Sequence, residues 1–290
     1  MNTGTRMKNA FIIGSSLLLA TWGTPAQAET NSLKYQWRSP SSLPAQEKTN
    51  IAPQAERVLR AACQYLAEAP FFSLTAEVWR EHVTEAGQKL QFSRTVTFEV
   101  KRPNRLHVEI RSPHSERGFW YEGKSLTILD RKRNLFSTAA MPGTLDAALD
   151  TAHDQFGIDL PLMDLAVSDP YASATAKVLK ESYYGLAPVL GLDCHHLAFT
   201  QENIDWQVWI QDGPQPLIRK LVITHKNEEG APEFTALITH WDFTERISDS
   251  DFVFEPPRGA TKVEMRQDRA EGGEDRKSVP LTPLTSPKAK

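Results

Sequence analysis

The chain has 290 residues, of which 40% are hydrophobic, and a formal net charge of −3. Acidic and basic residues are interspersed along it, which argues against a nucleic-acid-binding protein, because such proteins need a clustered basic face. Beyond the N-terminal region, no segment is long and apolar enough to predict a membrane-spanning helix.

Residues 1–28 have the features of a secretory signal. A basic start is followed by an apolar stretch at 10–20 and by the small-x-small motif Ala26-Gln27-Ala28. The apolar stretch is shorter than the roughly 20 residues of a membrane helix, so cleavage after Ala28 is favoured over a retained anchor. The mature protein is therefore predicted to be exported to a periplasm, without an integral membrane span.

A flexible leader and a first helix are predicted next. Residues 29–52 are rich in Pro, Ser, Gln and Asn and have no sustained hydrophobic period, which is typical of a flexible segment. A helix is predicted over 53–69, because Pro53 suits a first turn and apolar residues recur behind it at helical spacing. Pro70 ends the pattern.

The sequence leaves the state of the two cysteines, Cys63 and Cys194, open. An oxidising compartment permits a disulfide between them, which would join the first helix to a late strand. A sequence does not reveal whether their Cα atoms come within bonding distance, so two separate buried thiols are an equal alternative.

The clearest pattern of the chain begins at residue 90. Apolar and polar side chains alternate along 90–100, with Arg94 as the one exception, and this alternation predicts a strand with one apolar face. The same pattern continues in shorter segments that turn residues separate, so an antiparallel meander is predicted. Its other strands are predicted at 71–80, 106–111, 118–122, 125–130 and 135–140.

Helices interrupt the strands before a second meander. A helix is predicted over 144–156, with Thr144 as its cap and Gly157 as its stop. Shorter helical segments are predicted at 162–166 and 172–180. Later strands are predicted at 182–190, 193–200, 205–212, 218–224, 233–243 and 251–254.

From Pro256 onward the composition is rich in proline and charge and predicts disorder. The domain is taken to span 53–262, with a disordered tail at 263–290. Strands grouped on either side of helices predict an α+β fold. The sheet is large enough to form a curved, unclosed antiparallel β-barrel, which the helices would cover on its concave face.

Two short motifs resemble the periplasmic outer-membrane lipoprotein carrier. They are Lys101-Arg102-Pro103-Asn104 and Tyr121-Glu122-Gly123-Lys124-Ser125-Leu126. The resemblance implies an unclosed barrel capped by helices, and it implies that Arg102 latches the lid helices through hydrogen bonds. The alternative for Arg102 is a solvated arginine beside a turn.

A longer resemblance covers about 58–262. Its telling segments are 156–162, 169–171, 194–199 and 205–210, which read Phe-Gly-Ile-Asp-Leu-Pro-Leu, Asp-Pro-Tyr, Cys-His-His-Leu-Ala-Phe and Asp-Trp-Gln-Val-Trp-Ile. They are similar to an exported bacterial family, domain of unknown function 2092. That family looks like part of the same carrier superfamily, which implies the same architecture.

No constellation of residues predicts an enzyme, a metal site or a cofactor. His195 and His196 are neighbours on a predicted strand and point to opposite faces, so they cannot chelate one ion together. Cys194 and His196 share a face but supply only two ligands. The Gly-x-Ser-x-Gly nucleophile motif is missing from the sequence, and a cysteine within an apolar strand is usually inert packing.

The leading functional prediction is a periplasmic protein that binds or carries a hydrophobic ligand, a lipid or a lipoprotein acyl chain. The ligand would lie between the half-barrel and a lid formed by 144–156 and 162–166. The alternative is a non-enzymatic envelope scaffold or protein-interaction module with a filled core. The predicted lining residues are Phe72, Leu74, Phe92, Val96, Phe98, Val108, Leu126 and Trp206.

Overall fold

The structure is a computed structural model that describes residues 51–244 and 248–266. The predicted signal 1–28, most of the predicted leader 29–52 and most of the predicted tail 263–290 lie outside these residues. The described part contains the sheet and the helices that cover it.

One sheet of twelve strands organises the described part of the chain. The strands are β1 Phe71–Val83, β2 Lys89–Lys101, β3 Arg105–Arg111, β4 Glu116–Tyr121, β5 Ser125–Asp130, β6 Leu135–Ala140, β7 Lys180–Val189, β8 Leu192–Thr200, β9 Ile204–Gln211, β10 Ile218–His225, β11 Glu233–Asp242 and β12 Thr261–Lys262. Their spatial order is β12-β6-β5-β4-β3-β2-β1-β11-β10-β9-β8-β7. The two edge strands do not pair with each other, so the barrel is unclosed.

Two antiparallel meanders, β1 to β6 and β7 to β11, make up the sheet apart from β12, and the antiparallel pairing of β1 with β11 joins them. The register places Leu74 of β1 opposite Phe98 of β2, and Phe98 opposite Val108 of β3. All three side chains are buried. Because alternate residues point the same way, this row and its neighbours make the concave face apolar.

Helices cover that concave face. The α-helices are α1 Ile51–Glu68, α2 Leu145–Phe156 and α3 Pro170–Thr175, and a 3₁₀ helix spans Met163–Leu165. We call α2 and this 3₁₀ helix the lid. Buried residues of α1 and of the lid share one apolar cluster with the concave face of the sheet. The predicted α+β fold, an unclosed antiparallel barrel covered by helices, is confirmed.

Both predicted ends of α2 form as expected. The Thr144 hydroxyl accepts a hydrogen bond from the Ala147 amide at 3.4 Å. Gly157 adopts a left-handed conformation with φ of 61°, and its amide donates to the His153 carbonyl at 3.0 Å. These contacts satisfy backbone groups that the ends of a helix otherwise leave unpaired. The lid helix therefore has a defined beginning and end.

The C-terminal segment corrects two predictions. Residues 251–254 do not form a strand, because the Ser248 side chain and the Asp251 carboxylate cap a 3₁₀ helix at Asp249–Phe252. Disorder from Pro256 onward is also wrong for the described residues, since β12 pairs in parallel with β6. We call residues 248–263 the strap.

The strap covers part of the convex face. Phe252 is fully buried, and the ring centroid of Phe254 lies 5.1 Å from those of both Trp120 and Phe136. Lys101 Nζ lies 2.8 Å from the Asp249 carboxylate at the start of the strap. The sheet is thus packed on both faces along β3 to β6.

A charged network lies beside the strap on the convex face. His107 Nδ1 is 2.8 Å from Glu99 Oε2, and its Nε2 is 3.2 Å from Glu109 Oε1. Its ring stacks on Trp120 at 4.8 Å, and Arg131 pairs with Glu109. Burial disfavours the charged ring, but the two carboxylates outweigh it and raise the pKa of His107 to about 9.

We expect this network to make stability depend on pH. The folded-state pKa of His107 lies above its ordinary value of 6.5, so its contribution is fully present below pH 6.5. The contribution is lost as pH rises to about 9, and the free energy of unfolding should fall by on the order of 2–3 kcal/mol. Glu109 has a lowered pKa, so its contribution changes only in acid, outside this window.

Denaturant unfolding between pH 6 and 10 checks this expectation. His107→Gln should flatten the decline, whereas His82→Gln, at an exposed histidine near the β1–β2 turn, should leave it as in the wild type. An equal decline in the His107→Gln variant and the wild type would show that another group is responsible.

Candidate functional site

The structure brings seven of the eight predicted lining residues into the apolar cluster beneath the helices. Phe92 is the exception, because its side chain is 52% exposed. It lies on the concave side of β2, but the β1–β2 hairpin extends past the helices there. The buried seven are Phe72, Leu74, Val96, Phe98, Val108, Leu126 and Trp206.

The concave side is filled with side chains. Between α2 and the sheet there remains a cavity of about 10 Å³, which has room for roughly one water molecule. This cavity is too small for the acyl chain that the carrier prediction places there. The cavity is lined by Leu106, Tyr121, Leu126, Leu145, Ala148, Leu149, Ala152 and Leu160.

Arg102 joins the sheet to both parts of the helical cover. Its Nη1 donates to the Ala166 carbonyl at 2.8 Å, directly after the lid, and its Nη2 donates to the Leu66 carbonyl near the end of α1 at 3.3 Å. Burial lowers the pKa of Arg102, and the charge of Asp146 opposes that effect. The buried Nε atom has no hydrogen-bond partner among the described residues. The Arg102 side chain thus contacts the sheet's two helical neighbours through hydrogen bonds, and a latch role for it stays a prediction.

Two further polar contacts join the sheet to the segment that precedes the lid, and the sequence did not predict either. The Tyr121 hydroxyl donates to the Pro142 carbonyl at 2.6 Å, and Asn104 Nδ2 donates to the Gly143 carbonyl at 3.2 Å. Both Asn104 and Tyr121 belong to the carrier-like motifs, and this is the signal that could have identified them. Elsewhere the contact of α2 with the sheet is mainly apolar.

Trp206 of β9, in the second meander, belongs to the apolar cluster beneath the helices. Its ring stacks on that of Phe199 at 3.9 Å, and its buried Nε1 atom has no hydrogen-bond partner in the described part of the chain. Trp209 faces the other way, stacked on His196 at 4.2 Å with Lys220 Nζ 4.6 Å from its ring. The two tryptophans therefore lie on opposite faces, as strand alternation requires, with Trp206 inside.

The two neighbouring histidines lie on opposite faces, as strand alternation requires. His195 Nδ1 is 2.8 Å from the Tyr183 hydroxyl, and its Nε2 is 3.1 Å from the Asp212 carboxylate. His196 Nε2 is 3.0 Å from Gln207 Oε1, and burial lowers the pKa of His196. Among the described residues, no three His, Cys, Asp or Glu side chains are grouped to hold a metal ion.

The sequence profile of a family described as predicted periplasmic protein, domain of unknown function 2092, matches residues 55–266. The chain belongs to this family. The match covers the sheet, the lid and the strap, and the family's description confirms the predicted periplasmic localisation. Within residues 51–244 and 248–266, no helix is long and apolar enough to cross a membrane. No curated protein sequence matches the chain.

Solved structures that resemble this family member include an uncharacterized conserved protein from Thermus thermophilus. It has a TM-score of 0.44 and 9% identity, and the alignment covers 73% of this chain and 99% of that one. The Mycobacterium tuberculosis lipoprotein LppX gives 0.41 and 9%, covering 68% and 98%. A LolA superfamily protein from Nitrosomonas europaea gives 0.35 and 10%, covering 69% and 97%. We draw no functional conclusion from likenesses at this level.

The two cysteines of this family member are free and buried in different places. Cys63 belongs to the apolar cluster under the helices, whereas Cys194 is buried outside that cluster. Burial raises the pKa of the Cys63 thiol to about 12 and also raises that of Cys194. Both side chains are therefore protonated at neutral pH and poorly nucleophilic.

We expect both thiols of the exported protein to react slowly with Ellman's reagent at pH 8, because the thiolate is the reactive form. After denaturation without reductant, the two cysteines should titrate as two thiols. Intact mass measured without reductant provides the control. A mass lower by the two thiol hydrogens, with no thiol released on denaturation, would establish the disulfide instead.

Proposed function

We propose that this protein binds an apolar chain, such as a lipid acyl chain, in its half-barrel by displacing the lid. The observation that carries the proposal is a separate helical cover with an apolar underside, attached to the sheet by few polar contacts. The concave face supplies the apolar surface, and a small cavity lies between it and α2.

Displacement of the lid follows from the filled interior. A cavity of about 10 Å³ cannot hold an acyl chain, so the ligand must take the place of lid side chains such as Leu145 and Leu149. The free energy lost when these side chains leave the sheet is offset by burial of the ligand, at about 25 cal/mol per Å² of apolar surface. The closed lid and a bound chain are thus alternative covers for one surface.

In this proposal Arg102 acts as the latch of the closed state. A guanidinium has several donors in a fixed fork, so one side chain can bind the carbonyls of Ala166 and Leu66 together. Opening the lid breaks the first of these bonds and leaves a partly buried cation with fewer partners. Such a contact stabilises the closed state without adding apolar contact.

A second candidate, an envelope scaffold or interaction module, is favoured by the same filled interior. It is also favoured by exposed apolar side chains near the edge strand β7, namely Leu179, Tyr184, Leu186 and Leu190. A scaffold needs no movable lid and takes up no lipid. The two candidates therefore differ in whether the protein takes up lipid, which can be measured.

Lipid uptake by the exported protein separates them. We expect organic extracts of protein purified without detergent to contain a lipid by mass spectrometry, and delipidated protein to bind a fluorescent fatty acid. Consistent lack of extractable lipid together with no fatty-acid binding would reject the carrier and leave the scaffold.

The latch gives a sharper prediction. Arg102→Leu removes the hydrogen bond to the Ala166 carbonyl that holds the lid closed, so a larger fraction of molecules should have an open lid. The apparent Kd for the fatty acid should fall by up to about tenfold. Amide hydrogen exchange in α2 should be faster at the same time.

Arg133→Leu is the matched control, because Arg133 lies at the β5–β6 turn with its side chain 69% exposed. It should change neither the Kd nor the exchange of α2. Circular dichroism confirms that each variant is folded before it is compared. Unchanged exchange in folded Arg102→Leu would mean that Arg102 is not a latch.

A further inference from the structure

Arginines continue the concave face of β1 and β2 beyond its buried rows. Val96 is fully buried beneath the helices. Arg94 lies on the same face, two positions closer to the β1–β2 turn than Val96, and it pairs with Val78 of β1. The next pair on that face is Arg80 with Phe92. The face therefore changes from apolar to cationic where the helical cover ends.

Arg117 reaches the same region from β4. It pairs with Ile110 of β3, and Ile110 pairs with Val96 of β2, so these side chains share one row of the concave face. Burial lowers the pKa of Arg94, and the positive charges of Arg80 and Arg117 lower it further. We call Arg80, Arg94 and Arg117 the arginine mouth.

The three guanidinium groups of the mouth have no counter-ion within residues 51–244 and 248–266. None of them makes a hydrogen bond or an ion pair there. Asp130 pairs with Arg117 across β4 and β5, but its carboxylate accepts the Arg133 amide at 3.0 Å and lies 3.9 Å from Arg133 Nη1. Partly buried like charges without an anion destabilise each other, so an anionic ligand would be stabilised there.

Exposed apolar side chains border the arginine mouth. Phe92 is 52% exposed and Leu90 is 36% exposed, and both lie on the concave side of β2. Cationic and apolar groups thus meet at the entrance to an apolar half-barrel. That combination matches a molecule with an anionic head and an apolar chain, rather than a neutral lipid or a free anion.

We propose that the arginine mouth binds the anionic head group of an amphiphile whose acyl chain enters the half-barrel. Guanidinium groups bind phosphate and carboxylate oxygens through paired, charge-assisted hydrogen bonds. The assignment rests on the proposed lipid-binding function and names the ligand class for it. The ligand would lie with its head at the β1–β2 end and its chain beneath the lid.

Two lipids that differ only in the head group test the assignment. The full exported chain is titrated, below the critical micelle concentration, with oleoyl lysophosphatidic acid and with monoolein, which share the glycerol and the acyl chain. We expect lysophosphatidic acid to bind at least about tenfold more tightly. Arg94→Gln should remove most of that difference and leave monoolein binding unchanged.

Arg57→Gln is the control, because Arg57 is an exposed arginine of α1 whose replacement changes net charge equally. It should retain the full preference for lysophosphatidic acid. Equal binding of the two lipids, unaffected by Arg94→Gln, would overturn the head-group site while leaving the lipid carrier intact. Equally tight binding of glycerol 3-phosphate would overturn it in favour of a free-anion site. Failure of both lipids to bind would remove the carrier proposal itself.

Discussion

The antiparallel pairing of β1 with β11 is the contact on which the rest of the structure depends. It joins the first and last long strands of the described chain, so two meanders separated by the helical segment become one sheet. The register shifts between Thr75 and Ala76, a bulge that bends the sheet locally. Without this pairing, β1 and β11 would each be an exposed edge strand.

Arg102 lies where the sheet, α1 and the end of the lid meet. It follows β2 at one end of the sheet, and its side chain reaches the carbonyls after the lid and near the end of α1. The arginine mouth lies towards the other end of the same strand. One strand, β2, therefore links the contact that holds the cover down with the charges that border its open side, and apolar rows separate the two.

Much of this architecture could be predicted because it follows from local chemistry. Alternation identified the strands, and Arg94, its one exception, marks the limit of the cover. The segment 251–254 is rich in Phe and Val, which favour a strand, but Ser248 and Asp251 cap a 3₁₀ helix over Asp249–Phe252, and a hydrophobic pattern does not show this local competition. The exposure of Phe92 and the filled interior depend on how far the helices extend and how deeply they pack. Both are set by contacts between residues distant in sequence.

The two edges of the sheet, at β12 and at β7, differ in ways that affect self-association. β12 shields β6 over only two residues, and the strap packs beside it. On the far side β7 has an irregular register between Tyr183 and Leu186, and Pro188 has no amide hydrogen to offer. Such features discourage edge-to-edge growth. If two molecules paired through β7, the contact would be isologous, because the same strand of each copy would take part. Each copy would then cover the exposed edge strand of the other, which gives a closed dimer rather than a fibre.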